Sequence, residues 1–228
     1  MHLKLHHFFI LVAPGGAPGD KLRAIGLKEA DSRVHPGQGT ENRRFYFIDG
    51  MMLELLWVRD AEEASTGPAR ELYFSGRAMS DQASPFGLIF CPAENTTQAP
   101  QVMPFPGWSY QPDYFEPPMA FHVGENSCSL NEPLVIYSPF FNTAASKINS
   151  EDITSSIRIR LTVPLKNLSP VLKIINHTPG LTIETGAEHL IEVFFDNGHE
   201  CKIGEVVRKD LRPSLPLIIY SWKKTVIR

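Results

Sequence analysis

Two segments place polar, chemically capable residues where apolar ones are the norm. Glu54 lies in "MMLELLWV" (51–58). Alternate residues of a strand share a face, so Glu54 keeps company with Met52 and Leu56 while Leu53, Leu55 and Trp57 point the other way. A carboxylate in such surroundings is neutralised, paired with a base or bound to a metal, because an unpaired buried charge is too costly. A salt bridge to Arg43 or Arg44 on the neighbouring strand is the purely structural alternative. In "LHHFFIL" (5–11), His7 shares a face with Phe9 and Leu11, and His6 shares the other with Phe8 and Ile10. One of the two histidines is therefore expected to face the same interior as Glu54. Imidazole plus carboxylate is half of a site for zinc, nickel, iron or manganese; a lone strand histidine is otherwise a hydrogen-bonded core residue.

A glycine-rich stretch, "VHPGQGTENRRFYF" (34–47), invites comparison with phosphate-binding loops. Such loops open a helix, whose free N–H groups meet the anion. Here Gly37 and Gly39 lead into Phe45-Tyr46-Phe47, a run that favours a strand, and neither nucleotide-loop pattern fits. No nucleotide cofactor is expected, and Pro36-Gly37 with Gly39 reads as a turn. Arg43 just beyond it could grip a substrate carboxylate or phosphate through paired N–H donors; alternatively Arg43 and Arg44 alternate, one solvated and one paired with Glu54. Trp108, Tyr110 and Tyr114 in "PGWSYQPDYF" could wall an aromatic pocket or pin a loop to the core.

The elements that must position these residues are short. Four apolar runs end in proline, at 10–14, 88–92, 135–139 and 161–164, each read as a buried strand stopped by a residue that cannot continue the ladder. The first is followed by "GDKLRAIGLKEA", a short helix with Asp20 at its start and Leu22 and Ile25 on one face. The last is followed by "LSPVLKIINHTPG", where Ser169 caps, Pro170 occupies the first turn, and Leu172 and Ile175 face the core. Strands follow each helix. The resulting organisation is a βαβββ unit over 1–60, a partly helical linker over 61–84, an irregular strand set over 85–141, a loop at 142–152 and a second βαβββ-like unit over 153–228.

The 228 residues, with 43% hydrophobic and 21% charged and a net charge of −3, lack the basic excess that a nucleic-acid partner demands. Nineteen prolines and sixteen glycines favour many short elements. The three widely spaced cysteines form neither a disulfide framework nor a zinc knuckle, which fits a reducing, cytoplasmic setting. No run approaches the ~20 apolar residues of a membrane span, so no membrane partner is expected.

"LHHFFILVAP", the short helix, "VHPGQGTENRRFYF" and "MMLELLWV" together resemble the first module of glyoxalase-like proteins of the vicinal oxygen chelate superfamily. The resemblance covers residues 3–60 well and 85–222 loosely. It implies an α+β fold in which repeated βαβββ modules form a cupped, incomplete β-barrel with short helices outside. It further implies a divalent metal on His7 and Glu54, with Glu54 or a nearby acid moving the proton, and a small oxygen-rich substrate near Asn42 and Arg43 at the mouth of the cup, for which Trp108 and Tyr137 are further candidates. The second module departs from the pattern: Pro85-Phe86-Gly87 stands where its histidine would be, and Tyr137 where its second acid would be. His122 and Glu192 are the substitutes at hand. The resemblance implies metal-assisted lyase, isomerase or dioxygenase chemistry or, alternatively, a metal-free protein that binds and sequesters a small molecule. Pairing of modules between chains would make a homodimer.

Overall fold

A computed structural model describes residues 2–47, 50–93, 102–141, 157–195 and 204–224. The expected loop at 142–152 lies outside the described residues. Two open sheets and a few short helices make a mixed α+β fold. The first sheet has eight strands in the order β2-β3-β4-β1-β5-β8-β7-β6: β1 Leu3–Leu11, β2 Lys28–His35, β3 Thr40–Tyr46, β4 Met52–Val58, β5 Phe86–Pro92, β6 Gly107–Tyr110, β7 Phe121–Gly124 and β8 Leu134–Tyr137. The order is two-fold repetitive. In the first half β1 runs parallel to β4, in the second β5 runs parallel to β8, and the halves join where β1 meets β5 antiparallel.

Each strand divides its residues between two faces. Phe8, Ile10, Phe45, Leu53 and Leu55 face outward into one hydrophobic core, whereas Phe9, Leu56, Ile89, Val123 and Ile136 line the concave side. Outside the first half lies α1, Gly19–Ala24. It seats Leu22 in the core, and a Cβ on Gly19 would strike Arg43 and Phe45, so helix and strand touch through glycine. Asp20 stands in the first turn of this helix; Pro18 is its N-cap residue.

The second half has no such helix among its described residues. Its outer face is covered by the C-terminal unit, a five-stranded sheet ordered β10-β9-β11-β13-β12, comprising β9 Ile157–Val163, β10 Leu181–Thr185, β11 Leu190–Phe195, β12 Gly204–Asp210 and β13 Leu217–Lys224. Helix α4, Pro170–Ile175, bridges β9 and β10; Ser169 accepts a hydrogen bond from the Leu172 N–H as its cap, and Pro170 opens the first turn as the sequence indicates. A Cβ on Gly124 would lie 3.1 Å from Val171 of α4. Val135, Tyr137, Leu161, Val171 and Ile191 belong to one continuous core. This unit shares the strand–helix opening of residues 3–35 but not its wiring. Here the strands flanking the helix pair directly in parallel, whereas β1 pairs with β4.

The linker between the halves is helical in pieces: α2 Ala61–Thr66, capped by Asp60, a 3₁₀ turn Arg70–Leu72, and α3 Phe74–Met79. Arg77 of α3 is buried and donates to the carbonyls of Ser127, Leu130 and Glu132, tying the linker to the turn before β8. Three irregular carbonyls removed from water need donors, and one guanidinium supplies them. No helix among the described residues is long and apolar enough to cross a membrane.

Candidate functional site

The concave face of the eight-stranded sheet encloses a cavity of about 370 Å³. Glu54 lies within it, as the alternation along β4 requires. Asn42 of β3 donates from Nδ2 to Glu54 Oε1 at 3.2 Å, and its own Oδ1 accepts the Arg33 N–H of β2 at 2.9 Å. Asn42 is fully buried, so one amide links three strands and aims the carboxylate. His7 Nε2 stands 4.0 Å from Glu54 Oε1.

The sequence places His6 opposite His7, but both line the cavity. Pairing between β1 and β5 shifts register between Leu5 and His7, a bulge that sets two residues of β1 against one of β5. Leu5 and Phe8 thereby both face outward, and the histidines between them both turn in. Their Nδ1 atoms are 2.8 Å apart, so one imidazole donates and the other accepts. His35 and Arg33 of β2 and Arg44 of β3 complete the polar wall. Arg44 is the register partner of Glu54.

Burial decides the protonation of this wall. It pushes the Glu54 carboxyl up to about 7, against the opposing pull of Arg44, the Asn42 hydrogen bond and Arg33. Burial likewise drives His7 well below the ordinary imidazole value, with His6, His35 and Arg44 adding to the effect. His35 falls to about 4, chiefly through burial and then through Arg33 and Arg44. Near neutral pH the cavity therefore holds neutral His7 and His35, a carboxyl close to half ionised, and two arginines.

The opposite wall is apolar. Ile89 and Ile136, paired on β5 and β8, meet Phe121 of β7, Tyr110 of β6, and Tyr114 and Phe115 from the loop between β6 and β7. The Tyr110 and Tyr114 hydroxyls both point to Gln38 Oε1, at 3.4 and 3.1 Å, and Gln38 Nε2 donates to Thr40 Oγ1 at 2.7 Å. Through Gln38 the turn "HPGQGT" holds the aromatic loop over the cup. Gly39 in that turn adopts φ +68° and lies against Asp60 and Ala64 of α2 with no room for a Cβ. The glycines thus serve close backbone approach.

Several residues named from the sequence lie elsewhere. Arg43 points to the outer face, where it binds Glu29 at 2.6 Å, the Gly16 carbonyl at 2.9 Å and Asp20 at 3.0 Å; Arg44, one residue on, takes the inward position. Tyr137 is fully buried on the outer side of β8, with Ile136 facing the cup in its stead. His122 also faces away from the cup, its Nε2 2.7 Å from the Phe105 carbonyl oxygen. Trp108 packs beside the aromatic wall and donates to Ser127 Oγ at 3.1 Å without lining the cavity. Glu192 belongs to the second sheet, paired with Arg160 at 2.8 Å. Glu54, His7 and Asn42 are brought together; Arg43, Tyr137, His122 and Trp108 are not. His6 and Arg44 stood in the sequence only as alternatives to His7 and Arg43, and Arg33 and His35, which also line the cavity, carried no signal there.

Of the residues expected to hold a divalent ion, His7 and Glu54 face each other at 4.0 Å, and His6 and His35 also line the cavity. By strand register Gly87 and Ile136 stand in the second half where His7 and Glu54 stand in the first, and among the described residues no three of His, Cys, Asp or Glu are grouped to hold an ion. A protein metal centre of this chemistry takes at least three such ligands. As placed, His7 and Glu54 bring two protein ligands together, one fewer than such a centre takes.

No family model matches the chain, and no curated protein matches it. Among solved structures, it is similar to a hypothetical protein, BH1468, from Bacillus halodurans C-125, at 13% identity and TM-score 0.41 over 63% of this chain and 98% of that one. It is also similar to a methylmalonyl-CoA epimerase in complex with methylmalonyl-CoA and NH4+, at 14% identity and TM-score 0.39 over 60% and 96% of the two chains. A variant of the Streptomyces coelicolor methylmalonyl-CoA epimerase follows, at 14% identity and TM-score 0.37 over 61% and 97%. At these TM-scores none of them carries an argument about what this chain does.

Proposed function

We propose that this is a glyoxalase-like protein of the vicinal oxygen chelate superfamily whose cup binds a small metabolite without a metal. The observation that carries the reading is Glu54: a carboxyl with 13% of its side-chain surface exposed, aimed into a 370 Å³ cavity by one buried amide. A purely structural acid in such a place would be paired with a cation. Instead Glu54 has one hydrogen bond and a histidine 4.0 Å away, so its remaining lone pairs, or its proton, are available to a ligand. At about 30 Å³ per water the cavity has room for roughly a dozen waters, hence a ligand of about a dozen non-hydrogen atoms. A hydroxyl or carbonyl of that ligand would meet Glu54, aimed by Asn42 from behind, and the carboxyl can exchange a proton with it near neutral pH.

Plasma mass spectrometry of the untagged protein, with a thermal-shift panel of small metabolites, tests both parts. The expected result is no stoichiometric metal and a rise in melting temperature for members of the panel that disappears in Glu54→Gln. Near-stoichiometric zinc, nickel, iron or manganese that is lost in that variant would overturn the metal-free reading. A panel without any stabilising member would overturn the binding reading.

A further inference from the structure

The two walls of the cup differ enough to specify what lies between them. Three neighbouring arginines show how. Arg43, on the outer face, is saturated by Glu29 and Asp20. Arg33 and Arg44, which line the cavity, have no carboxylate within ion-pair distance among the described residues; Arg44 Nε donates only to the Asp31 carbonyl. Glu54 is the nearest acid by register to Arg44, yet no ion pair joins them. Two guanidinium groups at the edge of a half-buried cavity thus keep N–H donors that no carboxylate among the described residues takes up. Their field reaches inside: both bear on Glu54 and on His35. The histidines beside them are neutral at pH 7, so the polar wall is cationic overall.

Across from it, Ile136, Phe115, Phe121 and Phe141 make an apolar wall with no charged group. The Phe121 and Phe141 rings meet edge to face at 5.9 Å, and His6 lies at 31° to Phe141 with centroids 4.8 Å apart, a set of surfaces suited to a flat body.

We infer that the ligand of the cup is a small aryl or conjugated carboxylate, its carboxylate held at Arg33 and Arg44 and its flat body against Phe121 and Ile136. The inference rests on the reading of the cup as a binding site. A guanidinium fork matches a carboxylate geometrically, which a hydroxyl or amine does not exploit. A cationic ligand meets two arginines that no carboxylate offsets and is repelled; a neutral one gains nothing from their charge.

Cinnamate and its uncharged isostere cinnamamide separate the alternatives, with benzylamine and benzyl alcohol as cationic and neutral controls. Each is titrated by NMR into the native protein, Arg33→Gln, Arg44→Gln and Ile136→Phe, the last filling the cavity from its apolar wall. Circular dichroism confirms that each variant is folded. The expected result is that cinnamate binds about tenfold or more tightly than cinnamamide, and that each arginine variant weakens cinnamate several-fold while leaving cinnamamide unchanged. Binding of cinnamate falls with salt, and Ile136→Phe abolishes it. Equal binding of acid and amide, both lost in Ile136→Phe, overturns the anion inference and leaves the cup as a binding site. Binding of benzylamine or benzyl alcohol in place of cinnamate does the same. Failure of all four probes with the native protein overturns the carboxylate inference and counts equally against the cup reading. If Ile136→Phe does not fold, the acid–amide ratio and the two arginine variants decide the matter alone.

Discussion

The two halves of the eight-stranded sheet share one strand order and carry opposite chemistry. In β1–β4 the concave positions are His7, Glu54, Asn42 and Arg44; in β5–β8 they are Ile89, Ile136, Val123 and Phe121. The outer faces differ in a complementary way. The first half is covered by its own helix α1, the second by α4 and the C-terminal sheet. Backbone pairing depends on N–H and C=O groups that every residue but proline supplies, so the repeat tolerates such divergence. One half of the cup thus carries the polar groups while its twin supplies only shape.

The harshest way to break this asymmetry is to place a charge on the apolar wall. Ile136→Glu sets an acid among Ile89, Phe121 and Phe141 with no cation in its own half of the cup. A loss of about 4 kcal/mol is expected, read as a lower urea midpoint at pH 8. A loss below about 1 kcal/mol would show that the second half reaches water and is not the dry wall described.

Removing the charge from the polar wall has the reverse effect. The Glu54 carboxyl is raised from 4.5 to about 7, so the folded state binds a proton more tightly than the unfolded state, and this group's contribution to stability falls as pH rises between those values. Glu54→Gln is therefore expected to match the native protein near pH 4.5 and to exceed it by up to about 3 kcal/mol at pH 8. Denaturation of both proteins across that range measures the difference directly. A difference that does not grow with pH would place Glu54 in water.

His35 works with the opposite sign. Its imidazole is lowered from 6.5 to about 4, so below pH 6.5 the unfolded state takes up a proton that the folded state refuses, and stability falls with acid. His35→Asn is expected to lose the hydrogen bond to Thr40 Oγ1 at all pH values but to gain on the native protein by about 2 kcal/mol between pH 7 and pH 4, the figure being reduced because the ring is only partly buried. His7 is shifted in the same direction and keeps part of the acid sensitivity in the variant.

Much of this contrast was legible in the sequence. Glu54 could be assigned its face because β4 is regular, and the absence of a second histidine and acid was visible in "PFG" and "VIYSP". The turn "HPGQGT" and the cap at Ser169 depend on local geometry and were equally plain. What escaped was non-local. His6 turns inward because β1 bulges against β5, some 80 residues on, and no periodicity within β1 reveals it. Which of Arg43 and Arg44 faces the cup depends on the register of β3 against β4, where Arg44 meets Glu54. The direct parallel pairing of β9 with β10 follows the same local pattern, strand then helix then strand, as β1 to β2, which do not pair; a pattern of elements does not contain the order in which they assemble.

The smallest expected effect sharpens the comparison most, because it uses adjacent residues of one type. Arg43 bridges β3, the Gly16 carbonyl before α1, and Glu29, and it lies over the Phe45 ring at 5.5 Å; its side chain keeps 15% exposure. Arg43→Gln removes a cation that holds a carboxylate and leaves Glu29 facing a surface built for an ion pair. A loss of about 1–2 kcal/mol is expected, since the guanidinium is only partly desolvated. Arg44→Gln loses one bond to the Asp31 carbonyl and relieves no carboxylate, so its stability should stay within about 1 kcal/mol of native. Urea denaturation of the two variants side by side tests whether the outer arginine serves the fold and the inner one the ligand. Equal losses would mean that Arg44 is structural after all; its free donors would then have no claim on a bound anion, whatever the shape of the wall it faces.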